Sequence, residues 1–252
     1  MPAAASSIAR IAVPNLRIVT LPVMPVDGIL ATGILTDNIN LGGYMDMPPS
    51  RAGTLALVGA DLALDFCNTA SGRGGPEARE HLQAARHVVD WATHAGVLTD
   101  QSRAAVLDRL DEIAPELLAQ ATTTRDCIHR CGMALAAGRQ PDPADLDLLG
   151  RLHAANLASA RLAPQDGGYG WAWSPADGPI QAILGPIVLS ALLLLTRKDL
   201  TRVKECPGHH CGWLFFDTTK NKTRRWCEMS VCGNRAKQTR HVQRRRQAAQ
   251  PQ

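Results

Sequence analysis

The chain has 252 residues, of which 45% are hydrophobic and only 4% aromatic, so it can build an aliphatic core and does not belong to the disordered class. Its net charge of +4 hides two regions of opposite sign: residues 197–252 carry 14 Lys or Arg against 4 Asp or Glu, whereas residues 1–196 carry 13 against 19. A basic C-terminal region on a mildly acidic body points to an anionic partner, nucleic acid foremost, with acidic proteins and lipid head groups as the other classes such a surface meets.

In chain order, residues 1–50 come first, with little charge, many prolines and short apolar pieces of no settled period. They read as extended or poorly ordered, with one strand at most, and a start at Met45 or Met47 would leave residues 1–44 outside the native protein. An intact mass of the native protein decides that point. Thr54 to Thr69 (TLALVGADLALDFCNT) alternates small polar and apolar side chains, which predicts a short strand or hairpin around Gly59-Ala60-Asp61, then a helix or turn entering Asn68.

Leu82 to Ala95 places Leu82, Ala85, Val88, Val89 and Ala92 at helical spacing, with Gly96 as the stop. Further helices are predicted over Ser102–Leu117, Thr122–Ala137 and Pro143–Ala163, the last capped by Asp142 ahead of Pro143. Gly168 to Ser174 reads as one strand of a hairpin whose partner the sequence does not specify. Pro179 to Val203 resumes as apolar helix with a kink or join at Gly185-Pro186. Its longest apolar run, Ile180–Leu195, is shorter than a membrane span and contains Gln181, Pro186 and Ser190, which predicts a buried helix and no membrane partner.

The chemistry concentrates at the C-terminus. Among seven cysteines, Cys206-x4-Cys211 and Cys227-x4-Cys232 form two close pairs separated by a hairpin-sized stretch. Tetrahedral zinc needs this arrangement: two local turns, each aiming two sulfurs inward, joined by the metal. The alternative, four reduced and simply buried thiols, sits poorly in so short and hydrophilic a segment. His209 and His210 are the other donors within reach. With four sulfurs the metal has no open position for water, so the zinc reads as structural. Trp213 to Thr218 reads as a strand, Asn221-Lys222 as a turn and Thr223 to Trp226 as the returning strand; such a hairpin needs the metal to be stable. An odd cysteine count with grouped spacing, and no cleavable leader pattern, fits a reducing cytoplasm.

Cys206 to Arg240, above all Trp226-Cys-Glu-Met-Ser-Val-Cys-Gly-Asn-Arg-Ala-Lys237, resembles the CGNR zinc finger found at the C-terminus of bacterial proteins described as putative stress-induced transcription regulators. Leu62-Ala-Leu-Asp-Phe-Cys-Asn-Thr69, with Trp91 and Gly96, is similar to the N-terminal ABATE domain of the same family. The resemblance spans about Leu55 to Arg246. It implies that Cys206, Cys211, Cys227 and Cys232 hold Zn2+, and that Gly233-Asn234-Arg235 with Lys237 is the eponymous motif. It also implies a regulator, hence DNA, with stress response as its setting. The family often has Ser at Thr219 and Gly at Lys222, so the hairpin turn is expected to differ in backbone shape.

Asn234 to Arg246 is predicted to be a helix. Arg224, Arg225, Asn234, Arg235, Lys237, Gln238, Arg240, Arg244, Arg245 and Arg246 are the candidate nucleic-acid contacts, the cations toward phosphates and Asn234, Arg235 or Gln238 toward base edges. Structural roles compete: Asn234 as a brace of the metal turn, Arg235 as a partner of Asp217 or Glu228, Trp213 and Trp226 as the module's core. Asp65, Asn68 and Thr69 form the most polar cluster of the body and read either as an effector pocket or as a buried polar brace. No nucleophile elbow, phosphate loop or dinucleotide fingerprint is present, so the reading is not an enzyme.

The expected protein is mainly α with a small β-hairpin component, divided into an extended segment (1–50), a helical ABATE-like domain (51–200), a ββα-like CGNR finger (201–246) and a tail (247–252). Its expected function is DNA-binding transcription regulation in the bacterial cytoplasm. A small-molecule effector, a protein partner or a homodimer are the further partners considered. A zinc-stabilised protein interaction module, and an enzyme or small-molecule binder in the N-terminal domain, are the alternative readings.

Overall fold

The structure is a computed structural model that describes residues 51–73, 75–165, 167–196 and 199–248; the expectations for residues 1–50 and for the end of the tail lie outside them. Among the described residues there are seven α-helices and three two-stranded antiparallel pairs, so the protein is mainly α as expected.

Helix α1 (Leu62–Cys67) is the helix expected to enter Asn68, while the strand or hairpin expected before it around Gly59-Ala60-Asp61 does not form. Asp61 decides this locally: its carboxylate accepts from the Ala63 N–H at 3.1 Å, which caps a helix, and Ser190 Oγ donates to it at 2.9 Å. Strands β1 (Ala70–Ser71) and β2 (Arg79–Glu80) form a minimal antiparallel pair before α2 (Ala85–His94). All five residues that define the apolar stripe of α2 are buried, and Trp91 adds a ring contact to Phe66 at 4.9 Å.

The two helices predicted over Ser102–Leu117 and Thr122–Ala137 are distributed differently. Helix α3 (Asp100–Leu107), capped by Thr99, ends at Asp108, and one long helix, α4 (Leu110–Ala136), spans the rest. Leu117 and Ala121 both face the core, which keeps the intervening turn helical, whereas the true break at Asp108-Arg109 contains no Gly or Pro to announce it. Helix α5 (Pro143–Leu157) begins as predicted, with Asp142 accepting from the Ala144 N–H at 2.8 Å. It stops six residues short of the predicted end. Residues Ala160–Gln165 instead form β3, which pairs with β4 (Gly168–Trp173) and sets Leu162 opposite Trp171. Helix α6 (Pro179–Leu195) runs through Pro186 as one element, which excludes a join there, and it ends short of the expected Val203, which opens a strand instead.

The core lies where α1, α2, α4, α5 and α6 meet, around Phe66, Trp91, Leu117, Leu149, Ile183, Leu184 and Ile187. Each such side chain contributes about 1.5–3 kcal/mol by leaving water. After a short turn at Leu200–Arg202, strand β5 (Val203–Glu205) pairs antiparallel with β6 (Leu214–Phe216), Lys204 opposite Phe215, and the chain closes with α7 (Asn234–Ala248). The returning strand expected over Thr223–Trp226 is absent; β6 pairs backward, with the residues that precede Cys206. Val203 and Leu214 belong to the core of the helical body, Leu214 lying against Gly132 of α4. Among the described residues no helix is long and apolar enough to cross a membrane.

Candidate metal centre and basic helix

Two turns bring the cysteines together. The first follows β5, where the Cys206 N–H donates to Trp213 O at 2.8 Å and the Cys211 N–H to Gly208 O at 3.0 Å. The second is a single π turn, Met229–Gly233, that carries Cys232 into the start of α7. The sulfurs of Cys206, Cys211, Cys227 and Cys232 lie within 4.8 Å of one another, with Cys211 to Cys227 and Cys227 to Cys232 each at 3.6 Å. Four thiolates on tetrahedral zinc at about 2.3 Å stand about 3.8 Å apart, so the donor set fits the metal in number, chemistry and spacing.

Three of the four cysteines are buried and Cys211 is partly exposed. Hydrogen bonds from the Cys211 and Cys227 thiols draw Cys206 well below the ordinary thiol range, assisted by the backbone N–H groups of Cys227 and Gly208. A Cβ on Gly208 would stand 3.1 Å from Cys232 Sγ, which is why glycine closes this turn. Zinc here is structural: it cross-links two turns whose apolar content is little more than Phe215, Trp213 and Trp226.

A buried carboxylate organises the segment between the pairs. Asp217 is fully buried and accepts from Lys204 Nζ at 2.6 Å, Thr219 Oγ1 at 2.6 Å, the Thr219 N–H at 2.9 Å and the Arg224 N–H at 3.0 Å. Burial by itself would raise its pKa; these donors, Lys204 first, hold it far below the usual carboxylate range. Lys204 also donates to Lys222 O at 2.7 Å and Arg224 O at 3.1 Å, so one ammonium gathers the loop that replaces the predicted strand. Sequence reading missed Lys204, because its place opposite Phe215 arises only from the strand pairing. Asp217 is thereby committed and does not take Arg235 as its partner. Lys222 adopts φ +53, the left-handed conformation that its Gly counterpart in the family would take without strain.

Arg224, one of the candidate nucleic-acid contacts, is turned inward. Its guanidinium donates to Val58 O at 2.6 Å, Trp226 O at 3.1 Å and Cys227 O, and lies 4.4 Å from the Phe215 ring centroid. Arg225 is exposed, 5.8 Å from the Trp226 ring. Asn234 donates to Ser230 O at 3.0 Å and so braces the turn that carries Cys232. Arg235, Lys237, Gln238, Arg240, Arg244 and Arg245 are all exposed on α7, a helix with no acidic residue, and these cations make no ion pair among the described residues.

The polar cluster of the body faces the metal module. Asn68 donates from Nδ2 to Leu214 O and accepts at Oδ1 from the Leu214 N–H, both at 2.9 Å. Thr69 is buried and donates to Phe66 O at 2.7 Å. Asp65 accepts from the Gly59 N–H at 2.7 Å, while Gly59 O accepts from the Phe216 N–H at 2.8 Å. Burial pushes the Asp65 carboxyl up to about 6 against the pull of that hydrogen bond. These contacts tie Asp65 and Asn68 to the segment that carries Leu214 and Phe216.

A mainly helical domain carrying a four-thiolate zinc module with a basic exit helix defines the class of protein. Residues 60–198 match the ABATE model, described as a putative stress-induced transcription regulator, and residues 202–245 match the CGNR zinc finger. The ABATE match covers more than half of the chain, and the protein belongs to that family. No curated protein shows significant similarity to it.

Proposed function

We propose that this protein is a non-enzymatic transcription regulator of the bacterial cytoplasm that binds duplex DNA through α7 and the exposed rim of its zinc module. The observation that carries the reading is the unneutralised set Arg235, Lys237, Arg240, Arg244 and Arg245, with Lys237, Arg240 and Arg244 on one face, on a helix that leaves directly from the turn holding Cys232. Zinc fixes that turn, so the cations are presented at a set angle to the body. Arg225 extends the same charge beside Trp226. Arg224 and Asn234 act in this reading as supports, the first under the hairpin and the second under the helix start, while Gln238 is the exposed side chain suited to a base edge. A helix with so much like charge gains order from phosphates.

A second reading has an observation of its own. Met229, Val231 and Val242 are each about half exposed beside the basic residues, which suits an acidic protein surface with apolar contacts. Binding of the zinc-loaded protein to a random duplex pool across a salt series decides between them. DNA binding predicts a log–log salt slope of about −4 to −5 from five phosphate contacts. It also predicts a slope reduced by about 3 when Arg240, Arg244 and Arg245 are all changed to Ala. No retention at low salt would favour the protein partner.

A further inference from the structure

A cleft of about 600 Å³ opens on the body between the C-terminal half of α4 and the turn into α5, lined by His129, Arg130, Met133, Ala134, Arg139 and Gln140. We propose that this cleft binds a small organic carboxylate, with Arg139 as the charge anchor and Met133 and Ala134 as the apolar wall. Its volume is that of small-molecule sites in general.

Arg139 is held in place from the backbone. Helix α4 ends in a Schellman turn, in which the Arg139 N–H donates to Ala134 O at 2.8 Å and the Gly138 N–H to Leu135 O at 2.9 Å, with Gly138 at φ +68. The Arg139 side chain has no ion-pair partner among the described residues, whereas the neighbouring Arg130 is committed to Asp145, from Nε at 3.0 Å and Nη2 at 2.5 Å. Burial, with Arg73 next in weight, pushes the pKa of the lining residue His129 down to about 4, so the ring is neutral at physiological pH and adds no second positive charge to the cleft.

The rim sets the charge of the ligand. Asp142 and Asp145 both line the cleft; Asp145 is paired with Arg130 and Asp142 caps α5, which leaves Arg139 as the cation open to a ligand. A monoanion that meets the uncommitted Arg139 is matched; a phosphate dianion would face the two carboxylates. The apolar wall calls for a hydrocarbon body behind the carboxylate. The same turn of α4 supports the zinc module from its other side, where Gly132 lies against Leu214.

The test is calorimetric titration of the full-length zinc-loaded protein with benzoate and hexanoate as probes, and benzamide as the uncharged control. Binding of a carboxylate, with benzamide and the Arg139→Gln variant each weaker by at least about tenfold, is the expected result. Arg139 is exposed and outside the core, so the variant should unfold at the wild-type temperature. The proposal is overturned by absence of carboxylate binding, by equal affinity for benzamide, or by undiminished binding in Arg139→Gln.

Discussion

The side chain of Asn68 is paired with the backbone of a single residue, Leu214, through both its amide nitrogen and its amide oxygen. Leu214 lies 146 residues further along the chain, in β6 of the zinc module. The carboxamide stands in for a neighbouring strand: it satisfies the N–H and C=O that β6 turns away from β5. Two residues on, Gly59 O accepts from Phe216 and completes the same edge. The module is therefore held to the body in register.

Asn68→Ala leaves the buried N–H and C=O of Leu214 unpaired, so the protein should lose about 2–4 kcal/mol of stability. Urea unfolding followed by far-ultraviolet circular dichroism measures the loss. A change below 0.5 kcal/mol, on the order of a neutral surface substitution, would show that water replaces the amide and that the bracket is incidental.

Metal analysis should find one zinc per chain, and chelation should lower the melting temperature of the helical body as well as release the module. The physical reason is that Val203 and Leu214, which frame the first metal turn, are part of the body's core. Differential scanning calorimetry with and without chelator reads this directly. An unchanged body transition would mean that the two parts fold independently.

Asp65 gives a pH dependence with a defined sign. Its folded pKa, about 6, lies above the ordinary carboxylate value, so the folded state holds the proton more tightly and this group's contribution to stability falls as pH rises from about 4 to about 6. Asp65→Asn keeps an oxygen for the Gly59 N–H and removes the charge. The variant should be more stable than wild type by about 1–2 kcal/mol at pH 7.5, allowing for solvent screening, and the difference should shrink toward pH 5. Parallel denaturant titrations at the two pH values test it; a constant difference would exclude ionisation as the cause.

Arg224 and Arg225 are adjacent and should behave oppositely. Arg224→Ala removes donors to four backbone carbonyls and the stacking on Phe215, and should cost about 2–3 kcal/mol. Arg225→Ala should leave stability within about 0.5 kcal/mol and weaken DNA binding. Thermal melts and a filter-binding titration on both variants separate the two roles, and equal melting temperatures would contradict the inward placement of Arg224.

Features that depend on neighbours in sequence were legible before the fold was known. The stripe of α2, the Asp142 cap, the basic α7 and the two cysteine pairs each follow from spacing within a turn or two. Spacing alone brought the cysteines close enough to suggest zinc, because each pair forms its own local turn.

What only the tertiary structure decided are the pairings between distant residues. The break between α3 and α4 carries no turn residue, and Leu117 with Ala121 continues the helix because both meet a core that sequence does not display. The strand paired with β6 was sought after it and lies before it, since Lys204 and Asp217 form an ion pair across the β5–β6 ribbon. Asp65 and Asn68 belong to the metal module's support for the same reason. Local propensity sets which residues can form an element or a turn; which buried polar group answers which backbone N–H is settled only when the chain has packed and water has been excluded from the choice.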